Sequence, residues 1–388
     1  MSIDPSRASS HARTSAPAPI SASQLQAALA VRDLADPAHG PHAMQRLLDA
    51  ILAVAAPGAA IQIHRPGPIV TARDNYDRLY YPADGVARDA RYTRWLGPGV
   101  LLRSQTSAAI PPLLDALAAD PSWTDVLLAV PGLVYRRDTL DRHHVGEPHQ
   151  VDLWRIRRGA PLTRADLDAQ LAAIVAAALP GARHRTTATA HPYTEDGVQV
   201  DVELDGAWLE IGEGGLASPR VLADAGLGDA TGLALGLGLD RLVMLRKGLP
   251  DIRLLRARDP RIAGQLADLT PYRPVSMMPP AWRDLSIAVD ADDTAEDLGD
   301  RVRAALGDRA DAVEAVEILS DTPHDGLPAA ARARLGMSPG QRNLLVRVTL
   351  RDLERTLTTD DANALRDRIY AAIHRGAAHQ WARGALRW

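Results

Sequence analysis

Four prolines, Pro271, Pro274, Pro279 and Pro280, crowd one short stretch and divide what this chain can become. Proline lacks the amide hydrogen that a helix interior or a central strand needs, and it biases the residue before it toward extended backbone. No regular element is expected to cross such a stretch. The chain should therefore fold as two units, over residues 23–270 and 271–388, and its 388 residues are enough for both.

Beyond the prolines, apolar spacing predicts a strand over 284–289, a helix over 294–306, strands over 312–319 and 344–350, and a helix over 360–375. That β-α-β-β-α succession suits a small ferredoxin-like sandwich. Before them, helices are expected at 21–31, with Ser21 and Ser23 as caps, and at 42–55, where Met44, Leu47, Leu48, Ile51 and Leu52 keep helical spacing. Between 60 and 160, short apolar runs such as 61–64, 100–103, 126–130 and 132–136 alternate with Pro and Gly. This is the pattern of an antiparallel sheet with long loops. A helix over 163–179, strands over 198–204 and 208–211 and a helix over 238–246 complete an α+β chain. Residues 1–22, rich in Ser, Ala, Pro and Arg, have the composition of a disordered tail.

Cysteine is absent, so no disulfide, thiolate metal site or thiol nucleophile is available. No apolar run is long enough for a membrane helix, so no membrane partner is expected and the cytoplasm is the default location. The net charge of −4 is opposite to that of a general nucleic-acid binder, though it leaves room for one basic face. Residues 342–388 carry nine Arg against five acids, whereas 271–341 carry seven Arg against thirteen. Arg347, Arg351, Arg355, Arg383 and Arg387 are the candidates for an RNA-touching face. A solvated helix face explains Arg366 and Arg368 equally well.

Chemistry concentrates between Pro131 and Asp152. The run Pro131-Gly-Leu-Val-Tyr-Arg-Arg-Asp-Thr-Leu-Asp-Arg-His-His144, followed by His149-Gln-Val-Asp152, packs three Arg, two adjacent His and several acids into a strand–loop–strand. Arg136 and His144 can hold a polyphosphate. Gln150 and Asp152, two apart on a strand, face one way, and a carboxylate with an amide suits an ammonium group. His143 fits a solvated loop position. The glycines of Gly236-Leu-Gly238 lack the Lys-Ser/Thr of a phosphate loop and suit close packing at a strand–helix junction.

This segment resembles motif 2 of the phenylalanyl-tRNA synthetases, where an aromatic-Arg-x-acid strand leads through a loop into Phe-His-Gln-x-Glu. Three more stretches match in order. Leu101-Leu-Arg-Ser-Gln-Thr-Ser107 is similar to the family's Leu-Leu-Arg-Thr-His-Thr-Ser. Ala190-His-Pro-Tyr-Thr-Glu-Asp-Gly-Val-Gln-Val-Asp-Val202 resembles Phe-Pro-Phe-Thr-Glu-Pro-Ser-x-Glu-Val-Asp-Val. Gly236-Leu-Gly-Leu-Asp-Arg-Leu-Val-Met-Leu-Arg246, then Leu249-Pro-Asp-Ile-Arg253, resembles motif 3. The end of the chain looks like the ferredoxin-fold anticodon-binding domain of single-chain, organellar-type members.

The resemblance implies a class II catalytic core, an antiparallel sheet flanked by helices, followed by that small sandwich. It implies ATP-dependent activation of phenylalanine or a related amino acid as aminoacyl adenylate, then transfer to the 3′ end of tRNA(Phe). Mg²⁺ is expected beside ATP, and no large second subunit is required by the type that bears this tail; monomer and homodimer both remain open. On the matching positions, Arg136 contacts the α-phosphate, Asp138 faces adenine, His144 and Arg241 hold the far phosphates, and Glu210 helps bind Mg²⁺. Gln150, Asp152 and Ser107 orient the ammonium group. In the side-chain pocket, Ala234 is as the family has it. The family phenylalanines fall on His191 and Tyr193, the family His is Gln105, the family Glu is the shorter Asp152, and Glu213 is added. These departures point to the alternative of a relative that activates a more polar amino acid. The chain has no phenylalanine at all, although it has eight Tyr and seven Trp.

Overall fold

A computed structural model describes residues 19–88, 92–136, 141–204, 206–274, 278–352 and 354–379. The expected 1–22 tail, Asp138, Arg383 and Arg387 therefore lie wholly or largely outside the described residues. In chain order, the first ten strands are β1 (Ala60–Ile63), β2 (Ile69–Thr71), β3 (Trp95–Gly97), β4 (Val100–Leu102), β5 (Asp125–Leu133), β6 (His149–Arg158), β7 (His184–Ala188), β8 (Thr194–Leu204), β9 (Ala207–Ala217) and β10 (Ala230–Gly238). Seven of them form one sheet in the order β1-β5-β6-β10-β9-β8-β7, while β2, β4 and β3 form a small sheet beside it.

The large sheet has two different faces. On one, Leu127, Val151, Leu153, Val200, Leu233, Leu235 and Leu237 pack into an apolar core with the helices Ala43–Ala55, Arg164–Ala178 and Leu239–Lys247. On the other, Leu128, Val130, Trp154, Ile156 and Ala217 pack with the helix Ile110–Ala119 at one end of the strands. The remainder of that second face is where the charged motifs meet.

Two expectations need correction. β1 pairs with β5 in parallel, so the sheet is mixed rather than wholly antiparallel. The runs 126–130 and 132–136 are not separate strands: β5 continues through Pro131 and Gly132 to Leu133 in register with β6. The helix Ile110–Ala119 has no counterpart among the expectations, because Pro111 and Pro112 look like breakers. They occupy its first turn, where no amide donor is required.

The helix Ala43–Ala55 begins on an unusual cap. His42 Nδ1 accepts the Met44 amide at 3.1 Å, which leaves Nε2–H to donate to the Leu255 carbonyl at 3.2 Å. Burial pushes the His42 pKa down to about 4, against the pull of that carbonyl. The unfolded imidazole binds its proton near pH 6.5, so folding stability is full above that pH and is lost as pH falls toward 4, by about 3 kcal/mol in all. Urea midpoints of the native protein and of His42→Asn, which keeps a cap acceptor, should diverge over that window. Parallel curves would refute the assignment.

The second unit runs β11 (Ala281–Asp290), the helix Ala295–Leu306, β12 (Val313–Pro323), the short helix Ala329–Leu335, β13 (Gln341–Leu350) and the helix Thr359–Ile373, the expected succession with one helix added between β12 and β13. Its antiparallel sheet runs β11-β13-β12, and Leu285, Ile287, Val302, Val346, Val348 and Ile369 form its core. Each long helix starts at a Thr/Asp capping box, Thr294 with Asp297 and Thr358 with Asp361. Lys247, the single lysine, is buried where the proline-rich connection leaves the first unit. Its ammonium donates to the carbonyls of Asp268 at 2.8 Å and Thr270 at 2.6 Å.

Candidate active site

Strand β10 forms the floor. Its alternate residues Leu233, Leu235 and Leu237 enter the apolar core, so Ala234, Gly236 and Gly238 lie on the opposite face. Register then builds the walls. Gly236 stands opposite Asp152 of β6 on one side and Glu213 of β9 on the other, so the two acids flank a residue without a side chain. Neighbouring strands lie about 4.8 Å apart, which puts the Asp152 and Glu213 backbones about 10 Å from each other. Gly238 stands opposite Gln150 in the same way.

A bulge adds a third acid. β8 and β9 pair Val200 with Gly212 but Asp201 with Glu210, so Ile211 is an extra residue on β9, and it is buried in the core. Glu210 and Glu213 are three apart and would face opposite ways on a regular strand. The bulge turns both toward the groove.

Asp152 is buried, accepts the Thr106 hydroxyl at 2.6 Å and the Trp154 indole N–H at 3.3 Å, and is pushed up to about 6 by burial despite those donors. Glu210 is raised above the usual carboxylate range by burial and by the Glu213 charge. A bound ammonium group needs Asp152 ionised. In the role the resemblance implies for Asp152, the KM for an amino acid should rise about tenfold per pH unit below pH 6, while the KM for ATP stays level. A flat amino-acid KM down to pH 5 would contradict that role.

Farther along the groove the motif 2 loop meets the motif 3 helix. Arg241 Nη1 donates to the Glu210 carbonyl at 3.0 Å, and Nη2 donates to His144 Nε2 at 2.8 Å. A guanidinium can only donate, so Nε2 is the acceptor and His144 Nδ1–H points to Asp141, 2.7 Å away. Burial works against ionisation of Asp141, but His144 and the His143 amide hold it below the usual range. The His143 ring has no such network among the described residues, in keeping with its loop reading. The Arg136 Nε is buried without a hydrogen-bond partner among the described residues, an orphaned donor of the kind an anion satisfies.

Among the described residues no group of three His, Cys, Asp or Glu could hold a metal ion. Mg²⁺ retains several waters and is commonly held by one or two carboxylates plus substrate phosphates. Glu210, an upshifted carboxylate close to Arg241 and His144, fits that mode.

Four partners of the expected residues escaped the sequence reading: Tyr81, Asn75, Trp154 and Asp240. Gln105 is committed to its own neighbours: Tyr81 donates to its Oε1 at 2.8 Å and its Nε2 donates to the Asn75 carbonyl at 2.9 Å. Ser107 is buried beside Asp152 and Tyr193 and stabilises the charged form of each. The Tyr193 ring lies 5.9 Å from that of Trp154, 5.9 Å from His191 and 6.0 Å from Tyr81. His191 Nε2 lies 2.7 Å from the Glu213 carboxylate. Asp240, beside Arg241 in sequence, is buried against His149 and Arg256 and so ties the motif 3 helix to β6. Only its place in the Leu-Asp-Arg sequence hinted at that.

A cavity bounded by Leu179, Val202, Leu245 and Leu269 contains none of the expected residues and is not this site. Among the described residues, the arginines expected to touch RNA, Arg347, Arg351 and Arg355, do not form one free basic face. Arg347 pairs with Asp284 at 2.8 Å on the side of the β11-β13-β12 sheet away from its helices. Arg351 pairs with Glu314 and lines a cavity at the junction of the two units, with Arg142 and Tyr272. Arg355 is held by Asp361 at 2.7 Å. Trp282, 60% exposed on the Arg347 side of the sheet, was not anticipated.

Residues 37–266, more than half of the chain, match the family model described as tRNA synthetases class II core domain (F). The phenylalanine–tRNA ligase alpha subunit of Prochlorococcus marinus (strain MIT 9313) is 32% identical over 246 residues, covering 57% of this chain and 71% of the relative. The chloroplastic/mitochondrial phenylalanine–tRNA ligase of Arabidopsis thaliana is 27% identical over 315 residues, 78% of this chain and 68% of the relative. A probable mitochondrial phenylalanine–tRNA ligase of Drosophila melanogaster is 26% identical, covering 79% of this chain and 75% of its own length. The two organellar matches span more of the chain than the core model does.

Proposed function

From a chain that belongs to the class II tRNA synthetases, its core matched over residues 37–266, we propose a phenylalanine–tRNA ligase that activates its amino acid with ATP and transfers it to tRNA(Phe). The observation that carries this reading is the groove itself. Gln150 and Asp152, suited to an ammonium group, lie along bare glycines from the Asp141–His144–Arg241 chain, and the unpartnered Arg136 donor is suited to an anion.

The chemistry needs positioning and charge neutralisation more than proton transfer. An oxygen of the amino-acid carboxylate attacks the α-phosphorus in line, the bond to the bridging oxygen breaks, and pyrophosphate leaves with the electron pair. Arg136 is suited to the α-phosphate, whose charge grows in the transition state. Arg241, already oriented by His144 and the Glu210 carbonyl, is suited to the far phosphates, and its planar fork favours bidentate contact. Asp138 keeps its proposed place at adenine. Mg²⁺, held by Glu210 together with phosphate and water oxygens, would supply further charge neutralisation. A ribose hydroxyl at the tRNA 3′ end then attacks the adenylate carbonyl, and AMP leaves. On the second unit we assign RNA contact to the sheet face that carries Arg347 and the exposed Trp282, and the cytoplasm is the setting in which we place the reaction.

Amino-acid-dependent ATP–pyrophosphate exchange tests the reading. Exchange that requires Mg²⁺ and one amino acid is the expected result; none with any amino acid would overturn it. A second reading, a relative that activates a more polar amino acid, is favoured by one observation, the acid Glu213 at the substrate end of the groove.

A further inference from the structure

The exposed part of the floor ends early. Gly236 and Gly238 are partly accessible, whereas Ala234 is 1% exposed, Trp154 is fully buried and Gly215 is buried. Trp154 and Ala234 are register partners, and so are Ala234 and Gly215, so these three make the next row of the same face. Tyr193, 6% exposed, lies against Trp154 with ring planes 24° apart. Beyond Gly236, this face of β10 is thus filled by the protein's own aromatic side chains.

What stays open beside Gly236 is polar. Glu213 offers two carboxylate oxygens. One is engaged by His191, which is itself stacked on Tyr193 at 5.9 Å, with the ring planes 29° apart. The Glu213 side chain is 41% exposed, so it keeps acceptor capacity beyond the His191 contact. Its charge is felt by Tyr81, Asp152, Tyr193 and Glu210, the groups that surround the same space. An amino acid lying across Gly236 can put its ammonium group at Asp152 and the end of its side chain at Glu213.

We propose that Glu213, held in place by His191, is the specificity-determining residue and reads a hydrogen-bond donor on the substrate's side chain. The substrate class is an amino acid with a hydroxyl, amide or cationic side chain rather than a bare phenyl ring. This rests on the class II synthetase reading above and takes the second of its two substrate readings, the more polar amino acid, in place of phenylalanine. A carboxylate built to accept a hydrogen bond penalises an analogue without the donor, because desolvating the acid then goes uncompensated. His191 restricts the rotamers of Glu213 and so acts as a positioning residue.

The test uses the full chain and a panel of the twenty standard amino acids plus ring-hydroxylated phenylalanines in ATP–pyrophosphate exchange, with ATP-induced thermal stabilisation measured in parallel. A donor-bearing amino acid should exceed phenylalanine in kcat/KM by about 10²-fold or more. Glu213→Ala should shrink that ratio at least about tenfold, mostly through KM, and Glu213→Gln, which still accepts a hydrogen bond, should restore part of it. Preference for phenylalanine in the native protein, or a ratio unchanged in Glu213→Ala, would overturn the proposal and leave the synthetase reading intact. ATP stabilisation without exchange for any panel member would also overturn it. Neither stabilisation nor exchange would remove the synthetase reading itself.

Discussion

Arg241→Ala is expected to lower amino-acid-dependent ATP–pyrophosphate exchange by about 10²–10³-fold, the scale on which one preorganised transition-state donor acts. Arg241 sits on a helix whose inner face is fixed by Leu239, Leu242 and Val243, so removing its side chain leaves the fold in place. What goes is a guanidinium aimed by two hydrogen bonds, to His144 and to the Glu210 carbonyl. His144→Ala should give a smaller loss. The double variant should lose less than the product of the two, because the pair acts as a unit across 2.8 Å. Arg136→Ala should fall in the same range as Arg241→Ala. A loss of less than tenfold in both arginine variants would show that the polyphosphate is held elsewhere.

Gly236→Leu should abolish amino-acid activation, by at least about 10²-fold in kcat/KM, while ATP-induced stabilisation persists. A Cβ at this position meets nothing closer than the Glu213 carbonyl oxygen at 4.0 Å, so the strand accepts a side chain. That side chain then occupies the space between Asp152 and Glu213. Gly212→Ala offers the contrasting case, one residue away on the neighbouring strand's inward face. There a Cβ would lie 2.3 Å from the Gly236 carbonyl oxygen, a backbone clash, and folded protein should be lost instead. Near-native amino-acid KM in Gly236→Leu would mean the substrate does not cross this glycine.

Much of the scaffold was legible because its signals are local. The helix starts expected at 163, 294 and 360 fall within a residue or two of those observed, and a Thr/Asp capping box stands at each. The glycines of 236–238 do end β10 just before the helix Leu239–Lys247, but not for the close packing expected of them, since a Cβ at Gly236 or Gly238 would meet nothing nearer than 3.8 Å. What stayed hidden depends on partners far along the chain. β7 is exposed along its whole length and has no apolar face to betray it. The parallel pairing of β1 leaves no local mark. The bulge at Ile211 cannot be read from β9 alone, since two against one is a property of a pair of strands. The groove shows the same division. Resemblance named Arg136, His144, Arg241, Gln150 and Asp152, but Tyr81, Trp154 and Asp240 act through register and packing, which no single motif records.

Strand β10 carries its two duties on alternate residues. Leu233, Leu235 and Leu237 anchor it in the core, and Gly236 and Gly238 offer only backbone to the groove. Changes at the odd positions cost stability, whereas changes at these two even positions act on the groove and leave the core alone. Inheritance can therefore edit what such an enzyme recognises without first acquiring a more robust framework. A lineage free to vary one parity while holding the other has a short route to new substrates.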